Sequence, residues 1–99
     1  MGVVARFEWD PEKAEANHAK HGVRFEEAVE LFSSGVDYLE IFNEAHSIEE
    51  ERFLAIGPIR NGVVVVVWTE IEDDTVRIIS ARMATLRERK LYQAHMEAT

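Results

Sequence analysis

Cysteine is absent from the 99 residues. That excludes disulfide staples, thiolate metal sites and a cysteine nucleophile. No apolar run exceeds the six residues from Val63 to Trp68, and a membrane-spanning helix needs about 20. The N-terminus has no basic stretch leading into an apolar one, so no secretion signal is expected and the cytoplasm is the default location. A glycine-rich phosphate loop and a Gly-x-Ser-x-Gly elbow are both missing, which argues against nucleotide and serine-hydrolase chemistry. Linkers, repeats and low-complexity segments are missing too. A chain this short builds one modest core. The expectation is a single domain over residues 1–99, too small for a two-domain enzyme or a dinucleotide fold. Positive charge is also scarce: 11 Lys and Arg stand against 19 Asp and Glu, for a net charge of −8. Taken alone, that disfavours a nucleic-acid partner. The cations that exist are concentrated, however. Residues 76–99 carry Arg77, Arg82, Arg87, Arg89 and Lys90 against only Glu88 and Glu97.

Apolar and polar residues alternate over 4–9, which predicts a first strand with Ala5, Phe7 and Trp9 on one face. Asp10-Pro11 predicts a helix start, with Asp accepting free amide hydrogens and Pro at the first turn. Gly22 predicts its end near His21. Phe25, Ala28, Val29 and Phe32 fall at i, i+3, i+4 and i+7, one stripe of a second helix ending at Ser33-Ser34-Gly35. Strands are expected over Val36–Phe42, Arg52–Ile59, Val63–Thr69 and Thr75–Ala81, with a polar loop at Asn43–Glu50. Asn61-Gly62 gives the strongest hairpin signal, and Asp73-Asp74 marks another turn. The strand Val63–Thr69 is apolar on both faces, as for a central strand covered on both sides. Thr85 and Glu88 form a capping box that opens a last helix carrying Leu91, Tyr92, His95 and Met96. The expected architecture is α+β: an antiparallel sheet meander with two N-terminal helices and one C-terminal helix.

The four histidines do not suggest a metal site. His18 and His21 are three apart on one helix with no evident third ligand, and no metal or other cofactor is expected. The arginines are more informative. Strand alternation sets Arg77 with Ile79 and Ala81 on one face and Val76, Ile78 and Ser80 on the other. A cation among apolar neighbours either pairs or meets a ligand. Arg82 follows at the strand-to-helix junction, and Arg52 opens a strand. Guanidinium groups grip phosphates by parallel hydrogen bonds and stay charged at any working pH. Pairing of Arg77 or Arg52 with Glu51 or Glu70 across the sheet is the alternative.

The combination of Phe7-Glu8-Trp9-Asp10-Pro11, Lys13, Asn17, Lys20-His21-Gly22-Val23 and Phe25-Glu26-Glu27-Ala28 resembles the BrnT toxin family. His46-Ser47, Glu50-Glu51-Arg52-Phe53, Arg77-Ile78-Ile79-Ser80-Ala81-Arg82, Glu88-Arg89 and Tyr92 extend the resemblance over nearly the whole chain, about residues 6 to 93. One position departs: Ile71 follows Thr69-Glu70 where the family commonly has arginine.

The resemblance implies a RelE-like fold and a metal-independent ribonuclease toxin of a type II toxin–antitoxin pair, which cleaves RNA to block translation. It implies a BrnA-type antitoxin with a ribbon-helix-helix part, and contact with operator DNA only through that antitoxin. Cleavage without a metal needs a base for the 2′-hydroxyl, cations for the phosphorane and an acid for the leaving oxygen. Arg77 and Arg82, with Arg52, are the candidates for charge stabilisation. Glu51 or Glu70 is the candidate base, and His46 the candidate acid or base. Lys20, His21, Arg87 and Tyr92 are the candidate RNA contacts. The competing reading is a catalytically weak or inactive toxin-like module that binds an antitoxin and acts in transcriptional autoregulation. Ile71 and the acidic excess favour it.

Overall fold

The computed structural model describes residues 6–43, 51–72 and 74–98. Its elements are β1 (Arg6–Glu8), α1 (Pro11–His21), α2 (Phe25–Ser33), β2 (Leu39–Phe42), β3 (Phe53–Ile59), β4 (Gly62–Ile71), β5 (Thr75–Met83) and α3 (Leu86–Glu97). The strands form one sheet in the order β1-β5-β4-β3-β2. β2 to β5 are the expected antiparallel meander. β1 departs from it and joins parallel to β5, with Phe7 opposite Val76 and Glu8 opposite Arg77. α1 and α2 lie between β1 and the meander, so the chain returns in the same sense.

Opposed residues share a sheet face, which separates two surfaces. One carries Phe7, Phe53, Ala55, Val64, Val66, Trp68, Val76, Ile78 and Ala81. It packs with Val23 and with Phe25, Ala28 and Leu31 of α2 into the main core. Aromatic rings bind its margin: Phe32 meets Phe7 at 5.7 Å and Trp68 at 5.7 Å, and Phe53 stacks on Trp68 at 4.8 Å. The second face carries Leu54, Ile56, Val63, Val65, Val67, Thr69, Arg77, Ser80 and Arg82. α3 lies on this side. Ile56 and Val65 are buried there, at 1% and 0% exposure, so β4 is covered on both faces as its sequence predicts.

The local signals resolve as follows. Asp10 accepts from the Glu12 amide at 2.9 Å, and Gly22 ends α1 in the left-handed region at φ 72°. The Glu27 carboxylate accepts from the Arg24 amide at 3.0 Å and closes the start of α2. Ile59 pairs with Gly62, so the hairpin turn is Arg60-Asn61, one residue earlier than the Asn-Gly signal. α2 fixes that turn: Glu30 Oε1 accepts from the Arg60 amide at 3.0 Å, and Glu27 Oε2 from Asn61 Nδ2 at 2.7 Å.

β2 begins at Leu39 instead of Val36. Its ladder with β3 ends at Ile56 because Gly57 and Pro58 follow. Pro58 has no amide hydrogen to offer. A Cβ on Gly57 would stand 2.6 Å from Leu31 and 2.8 Å from Tyr38, so Tyr38 turns into the core there instead of pairing. Val4 and Ala5 of the first predicted strand, most of the Asn43–Glu50 loop and Asp73 lie outside the described residues.

Candidate functional site

The second sheet face is where the sequence places its chemistry, through a register shift that alternation alone misses. Val67 pairs with Ser80 and Trp68 with Ile78, so Ile79 is an extra residue in β5. Such a bulge reverses the side-chain alternation beyond it. The expectation that Arg77 shares a face with Ala81 is therefore corrected. Ala81 enters the core at 0% exposure, while Arg77, Ser80 and Arg82 fall together on the other face.

On that face a row of polar side chains crosses the sheet. Glu8, Arg77 and Thr69 are successive partners on β1, β5 and β4. Arg52 immediately precedes Phe53, which opposes Trp68 at the end of that ladder, so the Arg52 backbone comes beside Thr69. At the ordinary strand spacing Arg52 and Arg77 lie about 10 Å apart at the backbone, with Thr69 between them. Arg77 Nη1 contacts Glu8 Oε2 at 3.5 Å. The Thr69 hydroxyl donates to the Glu51 carbonyl at 2.6 Å, which brings the Glu51 backbone to the end of the row. Thr69 is buried at 3% exposure and Arg52 is half-buried. The Asn43 amide donates to the Arg52 carbonyl at 2.8 Å and extends the β2–β3 pairing to the same end.

Arg82 stands apart. It opposes Val65, four residues along β4 from Thr69, or about 13 Å. Its guanidinium grips Glu88 with two parallel bonds of 2.7 Å each. The Arg82 hydrogen bonds hold the Glu88 carboxyl down at about 2, aided by the Thr85 amide and hydroxyl and opposed by burial. Glu88 also accepts from the Thr85 amide at 2.8 Å, so the capping box and the ion pair share one carboxylate. Arg82 is thus an anchor for α3. The expected cluster of Arg82 with Arg77 does not form: the face is shared, but the two guanidinium groups have different partners.

The remaining candidates disperse. Glu70 opposes Val76 and belongs to the core face of the sheet, away from Arg77, because strand neighbours alternate. The expected cross-sheet partners Glu51 and Glu70 are replaced, for Arg77, by Glu8. Lys20 and His21 occupy the last turn of α1. No hydrogen bond or ion pair links them to the arginine face among the described residues. Tyr92 is half-buried, and its hydroxyl donates to the Asp37 carbonyl at 3.3 Å, which holds α3 beside β2. Arg87 is exposed on the first turn of α3. His46 lies outside the described residues. Among those described, no three His, Asp or Glu side chains gather as a metal site, and no helix is long and apolar enough to cross a membrane.

Two residues escaped the sequence reading of the site. Glu8 reaches Arg77 only because β1 pairs with β5, a contact across 69 residues. Asn17 is the one buried residue of α1. Its Nδ2 donates to the Ala81 carbonyl at 2.8 Å and the Val23 carbonyl at 3.0 Å, and its Oδ1 accepts from the Ala81 amide at 3.1 Å. β1 stops opposite Arg77, which leaves the β5 edge open beyond it. The Asn17 amide closes that edge as a strand would. A lone asparagine amid alanine, lysine and histidine was the available signal.

Fold and site define a small α+β domain with a cationic row on a partly open sheet face. Among solved structures it is similar to the crystal structure of the Brucella abortus ribonuclease toxin BrnT, with TM-score 0.63 and 24% identity over 81% of this chain and 96% of that one. No curated protein sequence matches the chain. The family described as ribonuclease toxin, BrnT, of type II toxin–antitoxin system matches residues 9–88, and the chain belongs to that family.

Proposed function

We propose that this chain is a metal-independent endoribonuclease that cleaves RNA at the Arg52–Thr69–Arg77 row, so inhibiting translation, and that a BrnA-type ribbon-helix-helix antitoxin neutralises it in the cytoplasm. Operator DNA is met only through the antitoxin. The observation that carries the reading is the row itself, in which Arg77 faces Glu8 on one side and adjoins Thr69 on the other, and Thr69 binds the Glu51 backbone just before Arg52.

Arg77 is the group best placed to take a phosphate. Its contact with Glu8 is long, and the two side chains are 38% and 45% exposed. Such pairs contribute about 0–1 kcal/mol. A hydrogen bond to a charged group contributes about 1.5–3 kcal/mol. The Glu8 contact therefore offers little resistance to an incoming phosphate, which Arg77 can hold through two parallel bonds. Arg52 holds the opposite side of the same ion. Glu51 precedes β3 and is exposed, so its carboxylate is not bound by the strand's alternation; it takes the 2′-hydroxyl proton as the 2′-oxygen attacks phosphorus. The P–O5′ bond breaks and the leaving 5′-oxygen takes a proton from water, while Glu51 returns its own to solvent. The products are a 2′,3′-cyclic phosphate and a 5′-hydroxyl. The two guanidinium groups supply the positive charge that a metal ion would otherwise bring to the phosphorane.

Cleavage of purified total RNA in EDTA tests this reading. Fragments ending in cyclic phosphate are expected, and intact RNA contradicts it. A second reading, an inactive module that binds the antitoxin and acts in autoregulation, is favoured by one observation: Arg77 and Arg82 both already face carboxylates. It predicts intact RNA together with tight antitoxin binding.

A further inference from the structure

α3 is attached to the sheet by polar contacts and turns apolar side chains outward. Its half-buried stripe is Glu88, Tyr92 and His95, which reach Arg82, the Asp37 carbonyl and the Asp37 carboxylate. No residue of α3 is buried. Leu86 is 60% exposed and Met96 36%, and Met83 just before the helix is 45% exposed. Between the helix and the start of β4 runs a groove of about 420 Å³, lined by Val63, Leu86, Arg89, Lys90, Tyr92 and Met96 among others.

The order of chemistry along this groove is specific. Leu86 and Met96 stand at its two ends, ten residues or about 15 Å apart. Arg89 and Lys90 lie between them. Neither cation makes an ion pair with any described residue, in a chain of net charge −8. Exposed apolar side chains flanking two unpaired cations in one groove offer a partner both apolar burial and charge pairing. The cations select the partner's sign.

The geometry points to this groove as the docking site for a polypeptide segment that presents apolar side chains at two ends and carboxylates between them. That segment belongs to the neutralising partner, so the inference rests on the toxin–antitoxin reading. A protein segment fits better than RNA. Tyr92 is the single aromatic ring in the lining, with its hydroxyl bound to the Asp37 carbonyl, and only two cations face the groove, where nucleic acid takes a longer run of phosphate and stacking contacts. The arginine row on β4 and β5 remains separate from this surface, so a partner held here is anchored beside the row and not on it.

The test is a titration of the full chain followed by amide NMR. The probe is a synthetic 16-residue peptide with leucines ten apart and glutamates between. A lysine-for-glutamate version of that peptide and a single-stranded RNA oligonucleotide are the controls. The acidic peptide is expected to bind in roughly the micromolar range and to shift the amides of Val63, Leu86, Arg89, Lys90 and Met96. Arg89→Glu with Lys90→Glu is expected to weaken it at least about tenfold, and Leu86→Ser to do the same. The charge-reversed chain should keep the wild-type far-ultraviolet circular dichroism and the wild-type RNA cleavage. Equal binding of both peptides, binding of RNA at these residues, or no binding overturns the inference. So does sedimentation of the free chain as a dimer that Leu86→Ser dissolves, because the groove then belongs to a second copy. RNA cleavage is scored separately, so loss of the ribonuclease reading and loss of the docking site are distinguished.

Discussion

Asn17 and Arg77 show how far one residue's role depends on contacts distant in sequence. The Asn17 side chain makes three hydrogen bonds to the backbone of Ala81 and Val23. Replacing it with leucine leaves the Ala81 amide and two carbonyls without their partner in a buried place. Unsatisfied buried groups cost about 1–3 kcal/mol each, and relaxation recovers part of that. Asn17→Leu is expected to lower stability by roughly 2–3 kcal/mol in urea unfolding, with the m-value unchanged. A loss below about 0.5 kcal/mol would show that water takes over the edge. The sequence displays Asn17 only as a polar residue in a polar helix, because its partner lies 64 positions away. Arg77 was legible as a cation that must pair or bind. Its face was not, because the inserted Ile79 inverts alternation between Arg77 and Ala81.

At the scale of elements, the helices were readable because their signals are local. Asp10-Pro11, Gly22 and the Thr85–Glu88 box each act within four residues, and each cap forms. Strand limits were less readable, since pairing decides them. β2 loses three predicted residues where Gly57 and Pro58 interrupt the ladder, and β1 joins in parallel after two helices. α3 is the element whose attachment is most sensitive to solution conditions. Its main link is the Arg82–Glu88 pair, in which the Glu88 carboxyl titrates at about 2 against an ordinary 4.5. A depressed carboxyl pKa stabilises the folded state fully above 4.5, and the contribution is lost as pH falls from 4.5 through 2. The Arg82 side chain is 37% exposed, so screening reduces the effect to about 1–2 kcal/mol. Wild type is expected to exceed Glu88→Gln in stability by that amount at pH 7, with the gap closing between pH 4.5 and 2. A gap constant over that range would assign the effect to packing. With no buried residue, α3 should also exchange its amide hydrogens faster than β4, by about two orders of magnitude or more. Equal protection of the two elements in exchange mass spectrometry would contradict so light an attachment.

Across the whole molecule, the sheet divides labour between its faces. One face packs with α2 into the core; the other carries α3 at one end and the arginine row at the other. The chain carries a net charge of −8, yet its cations are gathered toward the C-terminus. Two of the five in the C-terminal quarter lie on the sheet face, and the other three lie on α3. The α+β class and the helix count were legible from composition and caps. The candidate site was legible as residue types but not as an arrangement: Arg77 meets Glu8, Arg82 turns to Glu88, and Glu70 lies on the far face.

The central claim is that the row through Arg77 carries out RNA cleavage. The most direct test compares wild type, Arg77→Ala and Arg52→Ala on one RNA in EDTA, with each fold checked by circular dichroism. Both substitutions are expected to slow cleavage by about 10²–10³-fold, the usual effect of losing a group that stabilises transition-state charge. Unchanged cleavage by a folded Arg77→Ala protein would place the chemistry elsewhere on the molecule.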